Sequence, residues 1–429
     1  MSIKILATAD LHLGRSSADV SDEYASTKST WFKIVTWCIE NKIDVLVLCG
    51  DIVDRDNRFF EAFGPLKSGF DKLGENGIHV YVVSGNHDFD VLPQLISQDG
   101  YKNVDLLGRN GQWEIKSFNK GCQVIQFAGW SFPKSKVTES AIHQWGQVVI
   151  DPNYPVIGLL HGDLDNMESV YGPIKLNDLL KTDIELWLLG HIHKPRQYPS
   201  QRPQVFYTGS PHALSSKEPG VHGPLLITVD PDRTMQIKQI SFSPVRYERL
   251  IVDVSNAGDQ SQLREKIIFS IFEDANSRQN SIEEVNTLVY NVVLNGRHEY
   301  IKQVEQWANQ AIDFSGQLPN GTTLMIRKIE CHLKPALLDL EKLASQTSPA
   351  GILAHTILAI ENDSNSQFLD DLIQEWKQKI KTVNEAGTYI PLYTRHMQKD
   401  LTDANAKTYL LNECNRLLGE LMDQVNENN

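Results

Sequence analysis

The sequence predicts an α/β fold with a layered core, and three observations lead to that prediction. Short apolar runs typical of buried strands alternate with helical patterns over about the first 120 residues. Five apolar runs within the first 190 residues each end in a cluster of Asp, His or Asn residues. The length of 429 residues indicates two or three domains rather than one.

The first part of the chain contains the strongest strand and helix patterns. Buried strands are predicted at 3–9, 44–49, 78–84, 155–160 and 184–189. A helix is predicted between the first two strands, because the apolar residues there recur at helical spacing: Trp31, Ile34, Val35 and Cys38. A second helix is predicted over 59–74, followed by more strands at 122–128, 204–208, 224–229 and 235–242.

Changes in these patterns divide the chain into three predicted domains, at 1–245, 246–334 and 335–429. The second is predicted to be a small α+β domain, with strands at 248–254, 287–294 and 322–331 and helices at 259–273 and 298–312. The third is predicted to be helical, near 336–345, 349–361, 366–383 and 403–425, with an interruption at "EAGTYIPLY".

Composition limits the classes of protein that are plausible. Five scattered cysteines without a C-x-x-C pair favour reduced thiols and a cytoplasmic location over a disulfide framework or a cysteine zinc site. The apolar runs are strand-length, so no membrane span is expected, and the N-terminus is interpreted as a first strand rather than a signal peptide. The net charge of −13 is unlike that of a protein that grips nucleic acid alone.

Polar, metal-capable residues follow each of the five strong strands. In chain order these are Asp10 and His12; Asp51 and Asp54; Asn86, His87 and Asp88; His161 and Asp163; and His191 and His193. Each motif alone is also typical of an ordinary turn. Ligands bind beyond the carboxyl ends of strands in α/β sheets, so five such motifs in order predict one shared site.

The residue types favour a binuclear metal site. Two cations about 3.5–4 Å apart can clamp the attacking and leaving oxygens of a phosphoryl displacement. Side chains two residues apart on a strand are separated by about 6–7 Å, which lets His191 and His193 each approach a different ion. A mixed set of His, Asp and Asn favours Mn, Fe or Zn over Mg.

The motifs D-x-H, G-D-x-x-D-R, G-N-H-D, H-G-D and G-H-x-H, in this order, resemble those of the calcineurin-like metallophosphoesterases. The stretch "YTGSPHALSSKEPG" (207–220), the domain order and the length resemble, more narrowly, the SbcD-type nuclease subunit of DNA-repair complexes. The resemblance implies a four-layer αββα core with a small α+β cap domain and a helical C-terminal segment.

The resemblance also implies roles for individual residues. One metal ion is expected on Asp10, His12, Asp51 and His193, and a second on Asp51, Asn86, His161 and His191, with Asp51 bridging. His87 is expected to face the scissile phosphate, and Asp88 to orient His87. Some nuclease relatives carry a histidine where this chain has Asp54. SbcD-type sequences tolerate Asp there, so the difference argues against a mechanism that needs a second substrate-facing imidazole but not against nuclease action. His212 is left open as a residue of the substrate cleft.

The function implied by the resemblance is that of a Mn²⁺-dependent DNA exo- or endonuclease. It would use two divalent ions and act as the nuclease subunit of an SMC-like coiled-coil ATPase complex in DNA repair or phage defence. The C-terminal segment, 336–429, holds eight basic and fourteen acidic residues and apolar stripes at helical spacing, which suits binding to a partner helix pair rather than to DNA. Homodimerisation is left open.

Two other functions compete with this one. A stand-alone phosphodiesterase or phosphatase for a small molecule or phosphoprotein is favoured by the acidic charge and disfavoured by the two extra C-terminal modules. A catalytically dead scaffold on the same fold is disfavoured by the complete ligand set.

Overall fold

The computed structural model describes residues 2–54, 62–200, 204–298, 300–335, 340–362, 367–385 and 402–427. Arg55, the start of the predicted helix 59–74 and residues 386–393 of "EAGTYIPLY" lie outside this set. The chain forms two compact units. The first comprises Met1–Glu248, Arg278–Val289 and Gly316–Leu324, and the second comprises Arg249–Ser277, Tyr290–Ser315 and Met325–Asn429. The predicted division into three domains stays a prediction.

The first unit carries most of the strands. They are β1 (Ile3–Thr8), β2 (Val45–Cys49), β3 (His79–Val83), β4 (Val104–Leu106), β5 (Glu114–Lys120), β6 (Gln123–Gly129), β7 (Val156–His161), β8 (Asp163–Leu164), β9 (Pro173–Ile174), β10 (Leu186–Gly190), β11 (Arg196–Tyr198), β12 (Val205–Tyr207), β13 (Leu225–Val229) and β14 (Met235–Gln239). Its helices are α1 (Thr27–Glu40), α2 (Phe63–Glu75), α3 (Val91–Asp99) and α4 (Leu176–Leu179), with short 3-10 helices at Glu23–Ala25, Arg109–Gly111, Ala141–Gln147 and Gln279–Ser281.

Two six-stranded sheets organise this unit. The first has the order β14-β13-β1-β2-β3-β4, in which β1 to β4 run parallel. The second has the order β11-β12-β10-β7-β6-β5, in which β12, β10, β7 and β6 run parallel. Parallel strands place their carboxyl ends at the same edge of the sheet, so the loops after β1, β2 and β3 lie together, as do those after β7 and β10.

The two sheets pack face to face between helical layers. Along β2, Leu46 and Leu48 point to the core beneath α1 and α2, whereas Val45 and Val47 point to the core shared with the second sheet. On the far side of the second sheet, a third core includes Trp187 of β10 together with residues of α4 and of the 3-10 helix Ala141–Gln147. The expected αββα layering is therefore confirmed.

The helix α1 forms for the reason that its sequence suggests. Ser26 caps it by accepting a hydrogen bond from the backbone N–H of Ser29 at 3.2 Å. Its predicted apolar stripe, from Trp31 to Cys38, is buried against the first sheet. Burial of this stripe holds α1 across β1 and β2 and thereby supports the loops that follow both strands.

The rest of the chain adds a four-stranded sheet and six helices within its described part. The strands are β15 (Val245–Asp253), β16 (Thr287–His298), β17 (Ser315–Gln317) and β18 (Thr323–Pro335), in the order β15-β16-β18-β17. The helices are α5 (Gln260–Ser277), α6 (Ile301–Ala311), α7 (Leu340–Ala344), α8 (Pro349–Glu361), α9 (Gln367–Glu385) and α10 (Asp403–Glu427). Helix α10 packs closely on α6: a Cβ added at Gly419 would lie 2.6 Å from the side chain of Ile301. In the described ranges, no helix is both long and apolar enough to cross a bilayer.

Candidate metal centre

The loops that follow β1, β2, β3, β7 and β10 carry all seven predicted metal ligands. Each ligand lies at the end of its strand or within four residues of it: Asp10, His12, Asp51, Asn86, His161, His191 and His193. Five of the seven are buried, and His191 and His193 are partly buried. The structure therefore places the predicted ligands in loops at the carboxyl ends of these strands, and their assignment as metal ligands stays a prediction.

The backbone of these loops is unusual. Asp10, His12, Asp51 and His191 all adopt positive φ values, of 51°, 47°, 52° and 96°. Such conformations cost about 1–3 kcal/mol each for residues other than glycine and concentrate at functional sites. Backbone hydrogen bonds hold them here: the N–H of Asp10 donates to the carbonyl of Gly50, and that of His12 to the carbonyl of Asp51, both at 3.0 Å.

A first group of possible ligand atoms comes from Asp10, His12 and His193. The Nε2 atoms of His12 and His193 lie 3.2 Å apart, and all three ligand atoms lie within 4.8 Å of one another. Two nitrogens that bind one ion at 2.0–2.1 Å are about 3 Å apart when their bonds are near a right angle. The spacing of the two imidazoles therefore fits ligands of a single ion.

A second group is formed by Asp10, Asp51 and His161. His161 Nε2 lies 3.3 Å from Asp51 Oδ2 and 3.2 Å from Asn86 Oδ1. His161 Nδ1 lies 2.9 Å from the carbonyl oxygen of Cys49. Because a carbonyl can only accept, Nδ1 carries a proton, and Nε2 is the nitrogen directed at Asp51 and Asn86.

The structure shares Asp10, and not Asp51, between the two groups. The carboxylate of Asp10 accepts hydrogen bonds from the backbone N–H of His191, at 3.0 Å to each oxygen. The ring of His191 lies outside both groups, with Nε2 3.6 Å from Asp163 Oδ2 and its centroid 5.3 Å from that of His161. The division of ligands between two ions, with Asp51 as the bridge, stays a prediction.

The charges of the site fit a bound cation. Asp10 and Asp51 are only 1% and 2% exposed. Within the described ranges, no lysine or arginine forms an ion pair with either carboxylate. Buried carboxylates are costly unless they are paired or coordinate a metal. Two of them beside four imidazoles form a donor set that suits Mn, Fe or Zn.

The pKa shifts of Asp51 and His161 also fit a site that binds a cation. Burial alone raises the pKa of Asp51, but the charge of His161 and its hydrogen bond outweigh burial and hold the pKa well below its usual range. Burial alone lowers the pKa of His161, but Asp51 outweighs it and raises the pKa to about 9. Metal ligands must be unprotonated, so metal binding would release the proton that His161 otherwise holds.

His87 lies beside these groups. Its side chain is 32% exposed, Nε2 is 4.0 Å from Asp51 Oδ2, and the ring meets that of His12 edge-on at 4.8 Å. Burial lowers its pKa, with Asp51 acting in the opposite direction. His87 also belongs to a third group with His12 and Asp54, whose ligand atoms lie within 4.8 Å of one another.

The predicted role of Asp88 was wrong, because its carboxylate binds backbone rather than His87. Its Oδ2 accepts from the N–H groups of Ile52 and Val53, at 2.6 and 3.3 Å, and its Oδ1 accepts from that of Gly85 at 2.7 Å. Burial, followed by the charge of Asp51, raises the pKa of Asp88 to about 7. Asp88 therefore ties the loop after β2 to the loop after β3.

Sequence reasoning missed which carboxylates lie beside the imidazole rings of the site. Asp54, predicted as a metal-capable residue and as a departure from some relatives, places Oδ1 3.2 Å from His12 Nδ1 and 3.8 Å from His87 Nδ1. Glu218 places Oε1 2.9 Å from His193 Nδ1. The motif around Asp54 was a usable signal, whereas no sequence pattern linked Glu218 to a histidine 25 residues away.

His212, left open as a cleft residue, is a core residue. It is 1% exposed, and its two ring nitrogens lie 2.8 Å from Ser17 Oγ and 2.7 Å from Thr30 Oγ1. Burial lowers its pKa to about 4, which keeps the ring neutral. Both nitrogens are therefore taken up by hydroxyl groups inside the unit.

Comparisons with known proteins agree with this geometry. Residues 3–195 match the calcineurin-like phosphoesterase family. The chain is 29% identical to "Uncharacterized metallophosphoesterase YhaO" of Bacillus subtilis (strain 168), over 64% of this chain and 68% of that protein. It is 24% identical to "DNA double-strand break repair protein Mre11" of Nanoarchaeum equitans (strain Kin4-M), over 49% of this chain and 62% of that protein.

Among solved structures, a match is found with a dimetal phosphatase from Danio rerio. It is 14% identical, with a TM-score of 0.35, and the match covers 56% of this chain and 99% of that one. The matched family region, 3–195, includes every residue of the two ligand groups. Residues 3–195 therefore match a calcineurin-like phosphoesterase domain, and this region carries the candidate metal centre.

Proposed function

We propose that this chain is a Mn²⁺-dependent DNA nuclease that hydrolyses phosphodiesters at a two-metal centre. The observation that carries the proposal is the pair of adjacent ligand groups that share Asp10, with His87 beside them. Relatives named as DNA double-strand break repair proteins support DNA as the substrate. The narrower likeness to SbcD-type nuclease subunits belongs to the same proposal.

In this proposal the seven ligands hold two divalent ions: Asp10, His12, Asp51, Asn86, His161, His191 and His193. When bound, such ions polarise a phosphoryl oxygen and lower the pKa of water, so that hydroxide is available near neutral pH. Asp88 keeps the loops after β2 and β3 together, and so fixes the distance between Asp51 and His87.

His87 is the group that meets the substrate. Because burial lowers its pKa, the ring is neutral near pH 7 and still carries one N–H. Asp54 Oδ1 lies 3.8 Å from His87 Nδ1. Its negative charge favours a proton on that nitrogen, and it also stabilises the positive charge of a doubly protonated ring. With Nδ1 protonated toward Asp54, Nε2 would take up a proton from solvent and pass it to the leaving oxygen, which returns the ring to its neutral form. In this role His87 occupies no metal site.

The competing function is that of a stand-alone phosphodiesterase or phosphatase. The net charge of −13 favours it, since a small substrate needs no basic channel. The name of the Bacillus subtilis relative specifies no substrate beyond the phosphoester class.

Substrate tests distinguish these functions. We expect the purified chain to hydrolyse bis(p-nitrophenyl) phosphate and to cut linear DNA with Mn²⁺, and to lose both activities in chelator. Mg²⁺ should support less activity, because imidazole ligands suit it poorly. If the chain hydrolyses p-nitrophenyl phosphate but leaves DNA uncut at every Mn²⁺ concentration, the result would instead support the competing phosphatase function.

We further propose that the C-terminal helices bind the coiled coil of an SMC-like ATPase. This partner would supply the basic DNA-binding surface that a chain with a net charge of −13 lacks. An apolar groove between α8 and α10 supports this. It is lined by Pro349, Ile352, Leu353, Leu417 and Leu421, with Glu420 at its side. Ile352 is 57% exposed, so a large apolar side chain is available to a partner helix.

The variant Ile352→Glu tests this surface. We expect binding of the ATPase to weaken by about thirtyfold, because central apolar contacts contribute about 2 kcal/mol and each 1.4 kcal/mol is tenfold. Hydrolysis of bis(p-nitrophenyl) phosphate should be unchanged. Pull-down with the ATPase measures the first effect and a colorimetric assay the second.

Phe269→Glu is the matched control, because Phe269 is 62% exposed on α5 and lies outside the groove. Equal weakening by both variants would show that the ATPase binds through general apolar exposure, and would contradict the assignment of the groove.

A further inference from the structure

The stretch 207–220 is not among the five motifs that carry the predicted metal ligands. It lies beyond residues 3–195, the region that matches the phosphoesterase family. Yet Glu218, within this stretch, is the acidic partner of His193. We infer that Glu218 is a positioning residue that fixes the ring of His193, so that Nε2 presents its lone pair to the first metal ion.

The tautomer of His193 follows from its two neighbours. A carboxylate can only accept, so the nitrogen 2.9 Å from Glu218 Oε1, which is Nδ1, carries a proton. The other nitrogen, Nε2, is directed at His12 Nε2, 3.2 Å away, in the ligand group that also contains Asp10. Glu218 thus sets which nitrogen is free to bind a metal ion, as carboxylate partners of metal-bound histidines do.

Glu218 is itself held in place. Its Oε2 accepts from the backbone N–H of Leu214 at 2.8 Å, and its own N–H donates to the carbonyl of Ser215 at 2.9 Å. Only 15% of its side chain is exposed. Both carboxylate oxygens therefore act as acceptors, and the side chain has no freedom to leave His193 without breaking the turn.

Residues 210–218, called the bracket below, contact the same histidine at two points. The N–H of Ser210 donates to the carbonyl of His193 at 2.9 Å. His222 lies just beyond the bracket and does not contact His193; its Nε2 is 3.1 Å from the carbonyl oxygen of Glu218 and its Nδ1 3.1 Å from that of Ser210. One end of the bracket thus holds the backbone of His193 and the other end holds its ring.

This inference rests on the proposed metal centre but not on the choice of substrate. It predicts that Glu218→Gln weakens the binding of one Mn²⁺ ion by about ten- to a hundredfold, the usual cost of losing such a partner. Glutamine keeps the volume but offers one acceptor oxygen, so its NH₂ group must face either His193 Nδ1–H or the N–H of Leu214. Mn²⁺ titration of the full chain, followed by electron paramagnetic resonance, measures the two binding steps separately.

His222→Gln is the control for simple loss of loop order. It disturbs the bracket without touching His193, and should lower the melting temperature of the metal-free protein while leaving Mn²⁺ affinity near that of wild type. Glu185→Gln is the matched carboxylate control, because the Glu185 side chain accepts from the N–H of Val156 and lies outside the ligand groups.

Selective weakening of one Mn²⁺ site in Glu218→Gln, absent in both controls, supports the inference. If wild type binds Mn²⁺ and Glu218→Gln binds it equally well, the inference fails while the proposed metal centre stands. An equal loss in His222→Gln also overturns it, because loop order would then be the cause. A wild-type chain that binds no Mn²⁺ at all would overturn both.

Discussion

Asp51→Asn is expected to lower Mn²⁺-dependent hydrolysis of a phosphodiester by about a thousandfold or more. Bound ions contribute several kcal/mol of charge stabilisation, and each 1.36 kcal/mol is a factor of ten in rate. The amide oxygen of the variant side chain would still accept from the backbone N–H of His87, which now lies 2.8 Å from Asp51 Oδ1. The amide NH₂ group would replace the oxygen that faces His161 at 3.3 Å and repel a cation there.

Two measurements on one preparation test this result: bound Mn²⁺ by elemental analysis, and the rate on bis(p-nitrophenyl) phosphate. Asp44→Asn is the matched control, since Asp44 immediately precedes β2 and Asp51 follows it. Asp44 pairs with Lys120 at 2.7 Å and lies outside the ligand groups. An Asp51→Asn variant that keeps both ions and near wild-type rates would contradict the two-metal site.

The strands that carry the site were predictable because they are buried on both faces. Such strands appear in a sequence as short continuous apolar runs, and β1, β2, β3, β7 and β10 lie within two residues of the predicted ranges. Helix α8 was predicted at its observed bounds, Pro349–Glu361. Ser348 caps it, and proline at the first position is compatible with a helix start.

Elements at the margins of the sheets escaped prediction. Strand β4, Val104–Leu106, has three residues, too few for an alternation to stand out. Strand β5, Glu114–Lys120, is the last strand of its sheet and remains partly exposed, so few apolar residues are needed along it. Its place in the sheet depends on pairing with β6, a contact that local sequence does not encode by itself.

The limits were similar within the site. The positions of the strand ends predict which side chains lie close together, because parallel strands end at the same edge of a sheet. Which carboxylate meets which histidine depends on loop paths, and sequence adjacency misled: Asp88 follows His87 directly but binds the loop after β2. The carboxylate nearest His87 Nδ1 among the described contacts is Asp54, 33 positions earlier. Long-range contacts of this kind need the folded structure.

His87→Gln is expected to lower turnover by about a hundredfold to ten-thousandfold while both ions stay bound. General acid–base groups contribute rate factors of this size. His87 stands 4.0 Å from Asp51 through Nε2 and lies outside the two groups that share Asp10. Glutamine can donate a hydrogen bond from this position but cannot pass a proton to the leaving oxygen.

Single-turnover rates and Mn²⁺ content, measured on the same preparation, separate catalysis from metal binding in this variant. His79→Gln is the matched control: His79 begins β3, whereas His87 follows it, and His79 pairs with Asp105 at 2.8 Å. If His87→Gln loses Mn²⁺ together with activity, His87 is a metal ligand, as its place in the group with His12 and Asp54 would allow. If it keeps both ions and loses only turnover, His87 acts on the substrate, and the neighbouring carboxylate of Asp54 becomes the group that orients it.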